Sequence, residues 1–227
     1  MLRHLANLFF PKSCAGCHAF LQTNEEVICT SCRHKIPLTY HLDQPENEFV
    51  QKFYGRIDLE FGGALFYFHK KGVVQEMIHQ LKYKGQEEVG VFIGNWFGEE
   101  SKSNALLASA AMVIPVPIHK KRRRIRGYNQ VDAFGQAIAN KLNITFDTTI
   151  LYRKTHATSQ TKKTLLERTE VHLEVFDVNF SELHHGKHFI LVDDVITTGS
   201  TLESCCRALL KIPDVKISIV CMAMSHS

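Results

Sequence analysis

Proline and glycine are scarce in this chain of 227 residues, which contains 6 prolines, 13 glycines and a single tryptophan. Collagen-like and low-complexity proteins are rich in proline and glycine, and disordered proteins are poor in apolar residues. With 44% hydrophobic and 22% charged residues, the sequence fits neither group. It therefore predicts an ordinary globular protein, long enough for one large domain or for a medium domain with a small module.

The sequence also lacks an apolar run long enough to cross a membrane. The longest one, residues 105–118, is interrupted by Ser109, Pro115 and Pro117, and a spanning helix needs roughly 20 residues. Residues 1–10 are apolar but show no clear cleavage site. For this stretch we expect a short amphipathic helix that packs on the protein, with membrane contact as the lesser alternative.

Positive charge is concentrated in one stretch. Six cations occupy seven positions without an intervening acid: Lys120, Lys121, Arg122, Arg123, Arg124 and Arg126. The other 21 of the 27 cations face 23 acidic residues, so the basicity describes a site and not the whole surface. Because a guanidinium binds phosphate oxygens with two N–H groups, we predict a loop that binds pyrophosphate or a nucleic-acid backbone. The alternative is a solvated basic loop.

Seven cysteines are an odd number for a disulfide scaffold. Four of them form two Cys-x-x-Cys pairs: Cys14, Cys17, Cys29 and Cys32. Four thiolates complete a closed tetrahedral zinc site, so we predict structural zinc, with disulfides, a redox pair or an iron–sulfur cluster as alternatives. This cysteine usage predicts a protein of the reducing cytoplasm. Cys205, Cys206 and Cys221 are expected to be small buried residues.

Alternating strand and helix patterns predict an α/β fold with a parallel sheet of about five strands flanked by helices. Strands are predicted at residues 63–68, 111–116, 144–152, 171–178, 189–192 and 216–222, and helices at 72–84, 88–100, 129–142 and 202–211. Residues 1–60 are expected to form the zinc module and a linker, and residues 61–227 the main domain. The polar stretch 153–168 is predicted to be a mobile lid.

Residues 189–202 have the layout of a phosphate site. A buried strand ends at Asp193 and Asp194, a small-residue loop follows, and a helix begins after it. The loop consists of Thr197, Thr198, Gly199, Ser200 and Thr201. Hydroxyls and helix N–H groups suit phosphate, whereas the carboxylates suit sugar hydroxyls or Mg²⁺. We therefore predict a phosphorylated sugar with a metal; the alternative is an Asp pair that only caps the helix.

Residues 192–201 resemble the phosphoribosyl-pyrophosphate (PRPP) motif of type I phosphoribosyltransferases. This resemblance implies that Asp193 and Asp194 are the catalytic acidic pair and hold the 2′ and 3′ hydroxyls of the ribose. It also implies that the Thr197–Thr201 loop holds the 5′-phosphate of PRPP, which carries Mg²⁺. No general base is evident in the sequence.

Nearly the whole chain, apart from the segment between Cys32 and Gly63, resembles the ComF family, in which a four-cysteine zinc module precedes a type I phosphoribosyltransferase-like domain. The positions that match the family pattern are the four cysteines, 81–85, 115–117, 126–130, 159–160, 167–168 and the PRPP motif. The resemblance implies phosphoribosyl transfer with pyrophosphate release and a link to DNA uptake and natural competence. Two alternatives remain: a single-stranded DNA-binding factor with Tyr128 available for stacking, or a PRPP sensor without turnover. Lys82 and Lys84 are either part of this site or a solvated helix end.

Overall fold

The computed structural model describes residues 12–154 and 175–225, and its helices and strands alternate along the chain. Its α-helices are α1 Thr30–Lys35, α2 Glu48–Gln51, α3 Val73–Tyr83, α4 Glu88–Ser101, α5 Ala105–Ala108, α6 Lys120–Arg126, α7 Asp132–Leu142 and α8 Ser200–Leu209. Its strands are β1 Phe61–Phe68, β2 Met112–Pro115, β3 Thr145–Phe146, β4 Leu151–Arg153, β5 Phe176–Val178, β6 His188–Ile196 and β7 Lys216–Ser225. Short 3₁₀ helices cover His41–Asp43 and Glu182–His184.

Five strands form one sheet in the order β1-β7-β6-β2-β3, and every neighbouring pair is parallel. The predicted parallel sheet of about five strands is thereby confirmed. Strand β6 lies between β7 and β2, with Val192 opposite both Val220 and Pro115. Its apolar run from Phe189 to Val192 is fully buried, as expected for a central parallel strand. Parallel strands end at one edge, so the residues after β2 and β6 meet there.

One predicted strand and one predicted helix differ from the structure for reasons that their hydrogen bonds show. The strand predicted at residues 144–152 is wrong as a single strand, because the Asp147 carboxylate accepts the backbone N–H groups of Thr149 and Ile150 and turns the chain between β3 and β4. Strand β4 pairs antiparallel with β5 in a separate two-stranded sheet. Helix α7 begins three residues later than predicted, since the Asn129 amide is bonded to the Val116 carbonyl oxygen.

The segment before β1, for which the sequence predicts only a connection, covers the edge of the sheet. The Tyr67 N–H donates to the Pro37 carbonyl at 2.8 Å, and the Thr39 N–H donates to the Leu65 carbonyl at 3.1 Å. This short antiparallel pairing satisfies backbone groups of β1 that an edge strand would leave open.

The hydrophobic core lies on both faces of the sheet. On one face, Cys14, Cys32 and Ile36 of the N-terminal segment are buried in the same cluster as residues of β1 and α3. The four-cysteine segment therefore shares a core with the main domain, and the boundary near residue 60 stays a prediction. Cys205, Cys206 and Cys221 are buried on the other face, as predicted.

Helix α4, with 14 residues, is the longest in the described ranges. None of the helices there is both long and apolar enough to cross a membrane. The amphipathic helix predicted at residues 1–10 lies outside the described residues.

Candidate functional site

The four cysteines of the two Cys-x-x-Cys pairs come together at one point. The Sγ atoms of Cys14, Cys17, Cys29 and Cys32 all lie within 4.8 Å of one another. The distance between Cys17 Sγ and Cys29 Sγ is 3.7 Å, and sulfurs bound tetrahedrally to one zinc ion at about 2.3 Å are separated by about 3.8 Å. The arrangement therefore fits a metal ion such as zinc.

Backbone donors surround the sulfur of Cys14. The N–H groups of Cys29 and Gly16 lie 3.2 and 3.4 Å from Cys14 Sγ. Burial raises the pKa of this thiol, but hydrogen bonds from these N–H groups and from Cys17 outweigh burial and lower the pKa to about 7. A Cβ atom on Gly16 would lie 2.7 Å from Val73, so glycine here lets the first pair pack directly on the start of α3.

The PRPP-motif loop lies where the sequence places it, between the end of β6 and the start of α8. Gly199 is buried and has a φ of +81°, a conformation that side chains other than glycine rarely adopt. The hydroxyl-bearing residues around it, Thr197, Thr198, Ser200 and Thr201, are exposed. Together with Asp193 they line one concave pocket at the start of α8, where helix N–H groups favour an anion.

The two carboxylates of the motif point to opposite faces of β6. Successive strand residues alternate between faces, and Leu191 and Val192 belong to the core clusters of different faces. Asp193 faces the loop pocket. Asp194 lies on the face of α3 and α7, where Lys82 Nζ is 2.8 Å from its Oδ1 and Gln130 Nε2 is 2.7 Å from its Oδ2.

The two carboxylates also differ electrostatically. Burial and the neighbouring Asp194 raise the pKa of Asp193 from its ordinary 3.8 to about 8. The backbone N–H of Asp194 and the charges of Lys82 and Arg122 oppose this shift. Arg122 of the cationic stretch is therefore close enough to Asp193 to influence its pKa.

The cationic stretch is a helix, and the predicted loop is wrong. The His119 side chain accepts the Lys121 N–H at the start of α6, and Gly127 ends the helix with a φ of +83°. Lysine and arginine are good helix formers, so this stretch forms a helix once both of its ends are capped. No residue of α6 is buried, and in the described ranges no ion pair within 4 Å involves its cations.

Aromatic residues near α6 are arranged differently from the prediction. Tyr128, expected to be available for stacking, packs against the core, and its hydroxyl donates to the Leu81 carbonyl. Tyr83 is 64% exposed, and the guanidinium of Arg126 lies 5.2 Å from its ring centre. The exposed aromatic ring beside the cations is therefore Tyr83.

Residues before β1 pack against the Thr197–Thr201 loop and α8. No motif in the sequence indicates these contacts. Phe53 is fully buried, and its ring would lie 3.2 Å from a Cβ on Gly199. Arg56 pairs with Glu203 of α8 at 2.7 Å. The N-terminal segment thus contacts the phosphate-loop region directly.

Of the open alternatives for two lysines, Lys82 lies in the site and Lys84 is exposed. The predicted lid at residues 153–168 lies almost entirely outside the described residues. The family positions 159–160 and 167–168 lie there as well.

Comparison with known proteins gives a family match in the second half of the chain. The model of the phosphoribosyl transferase domain matches residues 133–227, a range that includes β6, the loop and α8. Together with the parallel sheet, this match confirms the predicted type I phosphoribosyltransferase-like fold.

Curated relatives are named as DNA utilization proteins or as competence proteins. The chain is 25% identical to the DNA utilization protein YhgH of Salmonella typhi over 64% of its own length and 65%, just under two thirds, of that protein. It is 25% identical to competence protein F of Haemophilus influenzae over 90% of the chain and 93% of the relative. It is also 25% identical to competence protein ComFC of Bacillus subtilis, over 85% and 81%.

Among solved structures, adenine phosphoribosyltransferase from Leishmania tarentolae covers 63% of the chain and 73% of its own, with 13% identity and a TM-score of 0.39. Nothing about function follows from a likeness of that degree. The domain match, the competence relatives and the clustered cysteines agree with one another: they support the ComF family for this chain, which matches a phosphoribosyltransferase domain in residues 133–227.

Proposed function

We propose that the protein binds PRPP with Mg²⁺ at the end of β6 and transfers the phosphoribosyl group to an acceptor. The observation that carries this proposal is the pocket formed by Asp193 and the Thr197–Thr201 loop at the start of α8. Hydroxyls and helix N–H groups there suit a 5′-phosphate. Asp193 and Asp194 hold the ribose hydroxyls, directly or through the metal.

The cations of α6 suit the other end of PRPP. During transfer, the bond between C1′ and the pyrophosphate oxygen breaks, and its electron pair leaves with pyrophosphate. A bond forms between C1′ and the nucleophilic atom of the acceptor, which then gives up its proton. The charge on the leaving pyrophosphate grows, and Arg122 and its neighbours in α6 stabilise it by charge and hydrogen bonding. Positioning and charge stabilisation therefore carry the chemistry.

Calorimetric titration of PRPP with Mg²⁺ tests the site. Wild-type protein is expected to bind, and the double variant Asp193→Asn/Asp194→Asn is expected to bind at least about tenfold more weakly, because it loses both carboxyl groups that would hold the ribose hydroxyls or the metal. Asp214→Asn is the matched control: Asp214 is exposed, has a φ of +55° that asparagine tolerates, and precedes the opposite end of β7. Equal binding by the double variant and this control would rule out the assignment.

A titration cannot distinguish an enzyme from a PRPP sensor, because both need the same pocket. Pyrophosphate release in the presence of candidate acceptors separates them. Release that depends on an acceptor and disappears in the double variant supports transfer, whereas tight binding without release supports a sensor.

The exposed helix α6 favours a second candidate function, binding of single-stranded DNA. If the six cations contact phosphates, affinity should fall steeply with salt. Replacing Arg122, Arg123 and Arg124 by alanine should reduce the slope of log affinity against log salt by about 2, at roughly 0.7 per phosphate contact. The matched control removes three cations that are paired with carboxylates elsewhere, Lys102, Lys211 and Lys216. Equal slopes in the two triple variants would exclude α6 as the DNA contact.

A further inference from the structure

Asp194 is held from two sides by residues distant in sequence. Lys82, near the end of α3, contacts Oδ1, and Gln130, just before α7, contacts Oδ2. The side chain of Asp194 is 10% exposed and that of Lys82 is 20% exposed, so this ion pair is only weakly screened by solvent. Both carboxylate oxygens therefore have a fixed donor.

Gln130 connects this carboxylate to the cationic helix. Its amide nitrogen donates to Asp194, and its amide oxygen accepts a hydrogen bond from Arg126 Nη1 at 2.5 Å. The Gln130 side chain is buried and uses both ends of its amide. If the amide were flipped, its NH₂ group would face the Arg126 donor and its oxygen would face the Asp194 carboxylate. The direction of the chain Arg126–Gln130–Asp194 is thus fixed.

Arg126 retains capacity for an anion while it holds Gln130. A guanidinium carries five N–H donors in a rigid plane, and the bond to Gln130 uses Nη1. The side chain is partly exposed on α6 and lies over the ring of Tyr83. Phosphate oxygens that bind the remaining N–H groups would restrain Arg126 and, through it, Gln130.

We propose that Lys82, Gln130 and Arg126 are positioning residues that couple the pyrophosphate end of the site to its ribose end. The inference rests on the proposed PRPP function and deepens it. An anion on Arg126 reinforces the Gln130 bond to Asp194, and Lys82 holds the other oxygen. Pyrophosphate and ribose are then bound cooperatively, so the site binds the ribose-containing product more weakly once pyrophosphate has left.

Arg124 provides a matched control for Arg126. Both arginines belong to the same helix and carry the same charge, and Arg124 is exposed. In the part of the chain that the structure describes, Arg126 is the α6 residue bonded to Gln130. Arg124 can still attract pyrophosphate, but it does so without passing through Gln130.

The test is a pair of double-mutant cycles, measured by titration of PRPP with Mg²⁺. Arg126→Ala is expected to weaken binding about tenfold in the wild-type background but about twofold when Gln130→Leu is present, because the coupled residue is already lost. Arg124→Ala should weaken binding by the same factor in both backgrounds. Lys82→Arg keeps a positive charge beside Asp194, so this variant should bind PRPP more tightly than Lys82→Met. Circular dichroism and metal content verify folding, and Asp194→Asn replaces Gln130→Leu in the cycle if that variant does not fold.

The outcomes separate this inference from the function on which it rests. Wild-type protein that does not bind PRPP overturns both. Wild-type protein that binds, with additive effects of Arg126→Ala and Gln130→Leu, overturns the coupling and leaves the PRPP site intact. Equal non-additivity for Arg124→Ala would mean a general charge effect of α6 and would likewise overturn the role of Gln130.

Discussion

Replacing Cys14 by serine is expected to abolish metal binding and to lower the free energy of unfolding of the whole protein by at least about 3 kcal/mol. The loss of one thiolate leaves three ligands, and a structural zinc site depends on four. Cys14 is fully buried, so the variant also loses core contacts.

The effect should spread beyond the four-cysteine segment, because its buried residues belong to a core that it shares with the main domain. Cys14, Cys32 and Ile36 share a cluster with Met77 and Leu81 of α3. The start of α3 also packs on Gly16. We therefore expect one cooperative unfolding transition at a lower temperature, and not the separate melting of a small module.

Elemental analysis and thermal unfolding together check this prediction. Wild-type protein should contain about one zinc ion per chain. Cys206→Ala is the matched control, since Cys206 is equally buried but lies on the opposite face of the sheet; it should keep the metal. Full zinc occupancy in Cys14→Ser would refute the ligand assignment, and metal loss without destabilisation would refute the shared core.

The parts of the fold that the sequence predicts are those in which one local pattern suffices. Strand β6, the loop and α8 are contiguous, so composition, motif and order all point to the same element. The four cysteines also lie close together in the sequence, so their spacing alone is enough to predict a common metal site. The helical periodicity of α3 and α4 likewise depends on neighbouring residues, and both helices begin and end within one residue of the prediction.

The contacts that complete the site could not be predicted in that way. Lys82 and Asp194 are 112 positions apart, and Arg56 and Glu203 are 147 apart. These pairs exist because the sheet order brings distant segments together, which periodicity does not encode. The alternation of side chains along a strand could have separated Asp193 from Asp194, had the strand been predicted to extend past the acidic pair. Strand β6 does so, ending at Ile196.

Replacing Asp193 by asparagine is expected to stabilise the ligand-free protein at high pH, by about 2–4 kcal/mol when the penalty for a buried, charged carboxylate is fully removed. The pKa of Asp193 is raised to about 8 from 3.8, first by burial and then by Asp194. Between these two pH values, the folded protein keeps the proton and the unfolded chain has lost it. Each rise in pH within that window therefore disfavours the folded state.

The raised pKa of Asp193 determines how the stabilisation by Asp193→Asn changes with pH. The difference in unfolding free energy between Asp193→Asn and wild type should be small near pH 4, increase through pH 6 and 7, and level off above about pH 8. Denaturant unfolding from pH 6 to pH 9, without Mg²⁺ or PRPP, measures the upper half of this rise and the plateau above it. Comparing variant with wild type at each pH cancels the contributions of all other groups that titrate equally in both.

Asp177→Asn is a control with the opposite sign. The Asp177 carboxylate contacts Lys211 at 2.8 Å and Lys154 at 3.0 Å, and these partners lower its pKa. Its contribution is present above the ordinary pKa of aspartate and constant from pH 6 to 9, so this variant should be destabilised by the same amount throughout. A pH-independent difference for Asp193→Asn as well would mean that Asp193 is ionised in the folded protein at neutral pH. The acidic pair would then carry two negative charges, and Lys82 with the cations of α6 would have to balance both.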